Sequence, residues 1–209
     1  PEFETVTHVT LEAEYKPGKP VSLAIDPGYA GAYSVLFIQH EGDQMRVFDE
    51  VYAQRLTHEE VITVCMQKAC WKDVHDGVAD IAGRQHPASE SAIEVWYAKT
   101  GLRITSSYVY EEDGRERLRT FLHVNPITHR PPLLVNPRCR GLIAEMGCGP
   151  SPVPGGGIYR FKTDASGTVI GEKPIDMYNH SCKALCYWLV DRFGHVARRE
   201  FKSANYLDV

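Results

Sequence analysis

Val21-Ser22-Leu23-Ala24-Ile25-Asp26 is an apolar run that ends in a carboxylate, and Pro27-Gly28 follows it at once. The run is short and has turn chemistry directly behind it. It therefore reads as a buried strand that delivers an acid to the point where the chain turns away. Two more strands are expected after it, Ala32 to His40 and Met45 to Ala53, joined by the hairpin signal Glu41-Gly42-Asp43. The same ending recurs further on, in Gly77-Val78-Ala79-Asp80-Ile81. If the strands carrying Asp26 and Asp80 are adjacent and parallel, both carboxylates meet at one edge of the sheet. Open α/β sheets form their ligand sites at that edge.

Helices alternate with the later strands. Thr57 with Glu60 forms a capping box and opens a helix to about Ala69. Pro87 to Thr100 reads as a helix stopped by Gly101. Leu102 to Tyr110 reads as a strand, Gly114 to Leu122 as a helix with Arg115, Arg117 and Arg119 on a solvated face, and Leu133-Leu134-Val135 as a brief strand. Arg140 to Met146 is expected as a short helix and Asp176 to Phe193 as the last long one. Gly147 to Gly157 is a Gly- and Pro-rich loop, and Tyr159 to Phe161 and Thr168 to Gly171 flank the turn Asp164-Ala165-Ser166-Gly167. A strand meander followed by alternation predicts an α/β fold, a mixed β-sheet flanked by helices, with a small extra β-hairpin in an insertion over 147–173. The sequence has neither an internal repeat nor a linker, so residues 1–209 are expected to form a single domain. Pro1-Glu2-Phe3 reads as a cloning scar on an excised domain.

Composition narrows the class. Hydrophobic residues make up 43% and charged residues 24% of 209, an ordinary globular balance. No apolar run approaches the ~18 to 20 residues of a membrane helix, and no signal-peptide pattern opens the chain, so no membrane is expected. The six cysteines contain no Cys-x-x-Cys pair, and Cys182 and Cys186, one helical turn apart, are expected as reduced core thiols. The net charge of −4 argues against tight autonomous DNA binding, since free-standing DNA-binding proteins are more often basic. It does not argue against a nuclease whose carboxylates hold metal.

Two carboxylates held close repel each other unless a cation lies between them. Hard oxygen ligands suit Mg²⁺ or Mn²⁺, and a pair of such ions can activate a water and stabilise the leaving oxygen of a phosphodiester. An acid after a strand is also common as a turn former or a helix cap, and spacing alone leaves both readings open.

Several segments together resemble a known family. Asp26-Pro27-Gly28 after an apolar strand resembles the first acidic motif of the nuclease domain of tailed-phage large terminases. Val78-Ala79-Asp80-Ile81-Ala82-Gly83, then Gln85-His86 and Glu94-Val95-Trp96, resembles the second motif and its following helix. Asn136-Pro137-Arg138-Cys139 with Leu142-Ile143 resembles the segment ahead of the family's variable hairpin. Asn179-His180-Ser181-Cys182-Lys183-Ala184-Leu185-Cys186-Tyr187 resembles the third motif, which usually reads Asp-His-x-x-Asp-Ala-Leu-Arg-Tyr. The resemblance runs from about Val9 to Phe193.

It implies an RNase H-like sheet, a divalent-metal site, and cleavage of concatemeric double-stranded DNA during genome packaging in the host cytoplasm. It also implies a terminase ATPase domain, a small terminase subunit and a portal protein as partners. The phosphate-binding Gly-x-x-x-x-Gly-Lys-Ser/Thr loop of such an ATPase does not occur in this sequence. Carried over by residue, the resemblance implies Asp26, Asp80 and Asn179 as catalytic and metal-binding residues, with Asp176 as a further candidate ligand. Asn179 and Lys183 stand where the family usually has two aspartates. Asn179 offers a metal only a neutral oxygen. Lys183 would repel a cation if it points inward, could take over part of a second ion's work on the phosphate, or could simply point to solvent. Arg84, Arg138, Arg140 and Lys183 are candidate contacts to DNA phosphates, and for the three arginines a solvated surface charge is the commoner reading. His86 and His180 read as packing or hydrogen-bonding histidines ahead of general bases.

Three rival readings stand beside this one. A Holliday-junction resolvase shares the fold and would favour four-way junctions. A sugar-kinase or actin-like ATPase also opens with an Asp-x-Gly strand, but this chain lacks a second such motif. A catalytically weakened DNA- or portal-binding module would bind metal without cutting.

Overall fold

The computed structural model describes residues 2–80, 91–106 and 108–196. The strand that opened the reading, β1 (Val21–Asp26), lies near the middle of a six-stranded sheet with all six of its residues buried. β2 (Tyr33–Glu41) and β3 (Gln44–Ala53) continue from it as an antiparallel meander, turning at Gly42 with φ of 59°. β4 (Val74–Ala79) pairs parallel on the other side of β1, and β5 (Arg103–Thr105) pairs parallel with β4. β6 (Leu133–Val135) runs parallel to β3. The order is β5-β4-β1-β2-β3-β6, a mixed sheet as expected.

Helices cover both faces, which is why β1 is apolar without alternation. On one face lie α2 (His58–Met66) and α3 (Ala92–Thr100), where Val61, Ile62, Val95 and Trp96 meet Leu23, Ile25, Tyr33 and Phe37. Both helices start in capping boxes, Thr57 with Glu60 and Ser91 with Glu94, and α3 stops at Gly101 with φ of 70°. Residues 87–90 of the expected helix lie outside the described residues. The other face carries the short turn α1 (Thr5–His8), α4 (Glu111–Leu122), α5 (Arg140–Glu145) and α6 (His180–Phe193). There Leu118, Leu142, Leu185 and Leu189 pack on Ala24, Leu36, Ile38 and Val78, and Phe3 is buried with them. β7 (Phe161–Thr163) and β8 (Val169–Pro174) form the separate hairpin. No helix among the described residues is long and apolar enough to cross a membrane.

Among the boundaries that differ from the sequence reading, three have a clear physical reason. β5 keeps only three residues of the expected strand. Beyond it Tyr108 and Tyr110 are exposed and pack edge to face on each other, so the aromatic character of that run serves no core. α4 starts at Glu111, where three acids sit in the first turn and favour the helix N-terminus. α6 starts at His180, not Asp176. Tyr178 has φ of 56°, a left-handed conformation no helix passes through, and its ring lies so close to Gly157 that a Cβ there would be 2.8 Å away.

Buried or charged side chains from neighbouring elements satisfy the helix ends. Glu50 on β3 accepts the amides of Gly141 and Leu142 at the start of α5. Glu145 on α5 accepts the amides of Ser181 and Cys182 at the start of α6. Arg117 donates to the carbonyls of Phe193 and Gly194 at the end of α6, 3.1 and 2.8 Å away. The arginine face expected to be solvated is thus partly structural. Arg117 caps a helix and Arg115 lies over the Phe161 ring, whereas Arg119 keeps to exposed ion pairs with Glu2 and Glu116. The six cysteines are free, Cys182 and Cys186 buried among them.

Burial raises the Glu50 carboxyl to about 7, outweighing the two amide hydrogen bonds. The ionised form therefore destabilises the fold. That penalty is absent below the ordinary value of 4.5, grows as pH rises, and is complete above about 7. Glu50→Gln removes the titration, so its melting temperature relative to wild type should rise between about pH 4.5 and about pH 8. A pH-independent difference in thermal unfolding would refute the assignment.

Candidate active site

The register of β1 and β4 pairs Ala24 with Val78 and Ile25 with Ala79. Asp26 ends β1 and Asp80 directly follows β4, so the two strands are adjacent and parallel as the sequence reading required, and the charge of Asp80 acts on Asp26. Side chains alternate along a strand, so Asp26 and Asp80 share the face of Ala24 and Val78, toward α6.

α6 meets them with one stripe. His180, Lys183 and Tyr187 are spaced i, i+3 and i+7 and therefore lie on one helix face. His180 Nδ1 donates to Asp26 Oδ2 at 2.8 Å, and the Tyr187 hydroxyl donates to Asp80. Asp26 is only 7% exposed. Burial dominates its titration and pushes its carboxyl up. His180 and Lys183 pull it back in part, while the charge of Asp80 adds to the rise. For His180, burial works against the cation, but the Asp26 contact and the charges of Asp26 and Glu145 hold it above the ordinary histidine value. The carboxylate acceptor sets the tautomer with hydrogen on Nδ1. Gly31, in the loop after β1, closes over the other side of the ring: a Cβ there would lie 2.6 Å from His180 Nε2. His180 is thus the hydrogen-bonding histidine that was expected.

The start of α6 is fastened to the sheet directly through Ser34 and, by way of Glu145 on α5, through Tyr52. Ser34 pairs with Asp26 across β1 and β2, and its hydroxyl meets that of Ser181 at 2.8 Å, both residues wholly buried. Glu145 adds its two amide contacts and accepts the Tyr52 hydroxyl at 2.9 Å. Tyr52 in turn packs so tightly on Gly141 that a Cβ there would lie 2.3 Å from the ring.

Lys183 does not simply point to solvent. Its Nζ donates to Asp176 Oδ1 at 2.7 Å, its side chain is 30% exposed, and its charge acts on Asp26. Burial disfavours the ammonium, but Asp176 outweighs it and holds the lysine above its ordinary value. Asn179, buried at the N-cap of α6, donates Nδ2 to the same Asp176 oxygen at 3.0 Å. Asp176 itself is 85% exposed, in the turn before the helix, engaged by Lys183 and Asn179. A cleft of about 330 Å³ opens here, lined by Asp176, Lys183, Tyr187, Tyr108 and Arg115.

Other expected residues lie elsewhere. Arg138 and Arg140 follow β6, at the same end of the sheet but three strands from β1, about 14 Å at the usual strand spacing. Both are exposed. Arg84 and His86 lie outside the described residues. Sequence reading missed Glu145, which sits in an apolar context, Leu142-Ile143-Ala144-Glu145-Met146, with no local signal of its role. Among the described residues no group of three or more His, Cys, Asp or Glu side chains is gathered to hold a metal ion. Two adjacent carboxylates do suit one divalent cation, with water and phosphate as its remaining ligands.

No protein-family model and no curated protein matches the chain. Solved structures do. The nuclease domain of the P22 large terminase superposes with a TM-score of 0.61 at 14% identity, covering 92% of each chain. The nuclease domain of the bacteriophage SPP1 large terminase, with bound Mn, gives 0.59 at 13% identity over 89% of this chain and 96% of that one. The chain has the fold of a large-terminase nuclease domain. A large terminase from a thermophilic bacteriophage matches with a TM-score of 0.65 at 14% identity over 91% of this chain. This chain spans only 44% of that protein's length.

Ser34→Ala would leave the Ser181 hydroxyl buried without its partner, at a cost of about 1 to 3 kcal/mol. The double variant Ser34→Ala/Ser181→Ala should cost less than the two single changes added together, because neither hydroxyl is then stranded. Urea unfolding measures all three. Strictly additive losses would show that the pair is not coupled.

Proposed function

We infer that the chain is a divalent-metal-dependent DNA endonuclease, the single nuclease domain of a tailed-phage large terminase that cuts concatemeric viral DNA during packaging in the host cytoplasm. What supports this reading most is that Asp26 ends β1 and Asp80 follows β4, two neighbouring parallel strands, with the charge of Asp80 acting on Asp26. The occurrence of this pair in a fold shared with terminase nuclease domains supports it as well.

Asp26 and Asp80 are the residues that would hold Mg²⁺ or Mn²⁺, with the neutral oxygen of Asn179 nearby and Asp176 as the next candidate. A divalent ion supplies Lewis-acid stabilisation of the phosphodiester and lowers the pKa of water. The chain's own residues do the positioning. His180 fixes the rotation of the Asp26 carboxylate, and Tyr187 does the same for Asp80. Double-stranded DNA is the substrate. Arg138 and Arg140 are candidates for its phosphates away from the cut, as is Arg84. The terminase ATPase domain, the small subunit and the portal protein are the partners this reading brings with it. The ammonium of Lys183 near the carboxylates is what favours a second reading, a weakened DNA- or portal-binding module.

Supercoiled plasmid incubated with Mn²⁺ or Mg²⁺ should be nicked and linearised with little sequence preference, and chelator should stop it. Asp26→Ala should lower the rate at least ~10³-fold, because the carboxylate central to the site is lost. Cutting that persists in chelator would sink the metal mechanism, and Mn²⁺ binding without cutting would establish the weakened module. The net charge of −4 supplies no global attraction to DNA. Binding of labelled duplex by this chain should therefore be weak and fall steeply with salt. Tight, salt-independent binding would contradict it.

A further inference from the structure

A phosphodiester in this site needs compensating positive charge, and α6 supplies one that is fixed by folding. The argument rests on the nuclease reading. Asp26 and Asp80 contribute two negative charges, which one dication balances. The bound phosphodiester adds a further negative charge, and more develops on its leaving oxygen as the ester bond breaks. Lys183 stands where that charge can be met. It lies on the same stripe of α6 as His180 and Tyr187, the residues that hold the two carboxylates. Its Nζ is anchored by Asp176, which Asn179 also grips, and it is electrostatically coupled to Asp26. It lines a cleft of about 330 Å³ together with Tyr187, Asp176 and Arg115. A second dication at that position would face the ammonium at short range and be repelled.

We propose that Lys183 is a catalytic residue whose ammonium binds the scissile phosphate in place of a second divalent ion, so that the site works with one metal ion per chain. In the step it assists, the oxygen of a water bonds to phosphorus while one P–O ester bond breaks. The water's proton passes to solvent, the leaving oxygen takes one up from solvent, and nothing is oxidised or reduced. Lys183 keeps its proton throughout and attracts the charge growing on the phosphate oxygens. Asp176 is a positioning residue that fixes the ammonium.

Calorimetric titration of the chain with Mn²⁺ should give one site. Lys183→Ala should keep that single site at equal or tighter affinity, while plasmid cleavage at saturating Mn²⁺ falls ~10²- to 10³-fold, the usual loss of one charge-stabilising donor. Lys183→Met, which keeps most of the side-chain volume, should behave alike and guards against a folding defect in the alanine variant. Lys183→Asp should add a second Mn²⁺ site. Two Mn²⁺ sites in the wild type would overturn the proposal, as would undiminished cleavage by Lys183→Ala and Lys183→Met. A wild type that binds one Mn²⁺ and cuts no DNA would instead overturn the nuclease reading, and the catalytic role of Lys183 with it.

Discussion

Asp26 is a carboxylate at the end of a central strand, nearly closed off from water, and everything around it answers that constraint. An isolated charge there would be driven to take up a proton. The remedy lies in the first turn of α6, where His180 donates to it and the Lys183 ammonium lies within electrostatic reach. The position of that turn is therefore the critical dimension of the molecule. A shift of α6 by about one residue would rotate His180 away from Asp26 by roughly 100°. The Ser34–Ser181 contact and the approach of Gly31 to the His180 ring restrict it further.

The fastening extends further back through two buried acids. Glu50 on β3 holds the N-terminus of α5, and Glu145 on α5 holds the N-terminus of α6. Each is raised by burial, so each is an expensive way to satisfy amides that a serine or threonine cap would satisfy at the surface. Such an acid supplies direction rather than stability. A carboxylate accepting two successive amides fixes where a helix begins and how it is rotated, and a buried polar contact has few alternative partners. The chain from β3 to α5 to α6 to Asp26 is therefore one alignment device, with Arg117 closing the far end of α6.

What was legible in the sequence follows from how local each signal is. β1 and β4 showed as apolar runs ended by an acid, and the capping box of α2 showed as Thr57 and Glu60 three apart, because these are chemistries of neighbouring positions. The parallel pairing of β1 with β4 could be posed as a condition but not read. The start of α6 was misread because Tyr178, which breaks it, is left-handed and packs its ring against Gly157, a contact distant in sequence. Glu145 and Arg117 were invisible for the same reason: a glutamate in an apolar helix and an arginine on a polar one announce nothing until the helix ends they cap are brought beside them. The placement of Asp26 and Asp80 at the ends of two core strands was legible. The engagement of Asp176 by both Lys183 and Asn179 was not, since it depends on where α6 begins.

A shared fold at 13 to 15% identity fixes the scaffold and leaves the chemistry to be argued from side chains. Here the side chains make a specific argument. A metal ion and an ammonium both neutralise phosphate charge, but they differ in what sets their presence. The occupancy of an ion depends on its concentration and on the anionic ligands that attract it, whereas the ammonium of Lys183 is delivered by folding, its anchor the exposed Asp176. A preorganised charge needs no reorganisation when the reaction occurs. It has two deficits: it carries one charge where a dication carries two, and it does not acidify a coordinated water. Under the proposed reading the two roles therefore cannot be exchanged. Activation of water remains with Asp26 and Asp80 and whatever divalent ion they hold. Lys183 can serve only on the phosphate oxygens, on the cleft side where its anchor keeps it. The same geometry explains how an ammonium is held so near Asp26, since Asp176 draws its charge outward and Asp26 feels it only as a partial offset.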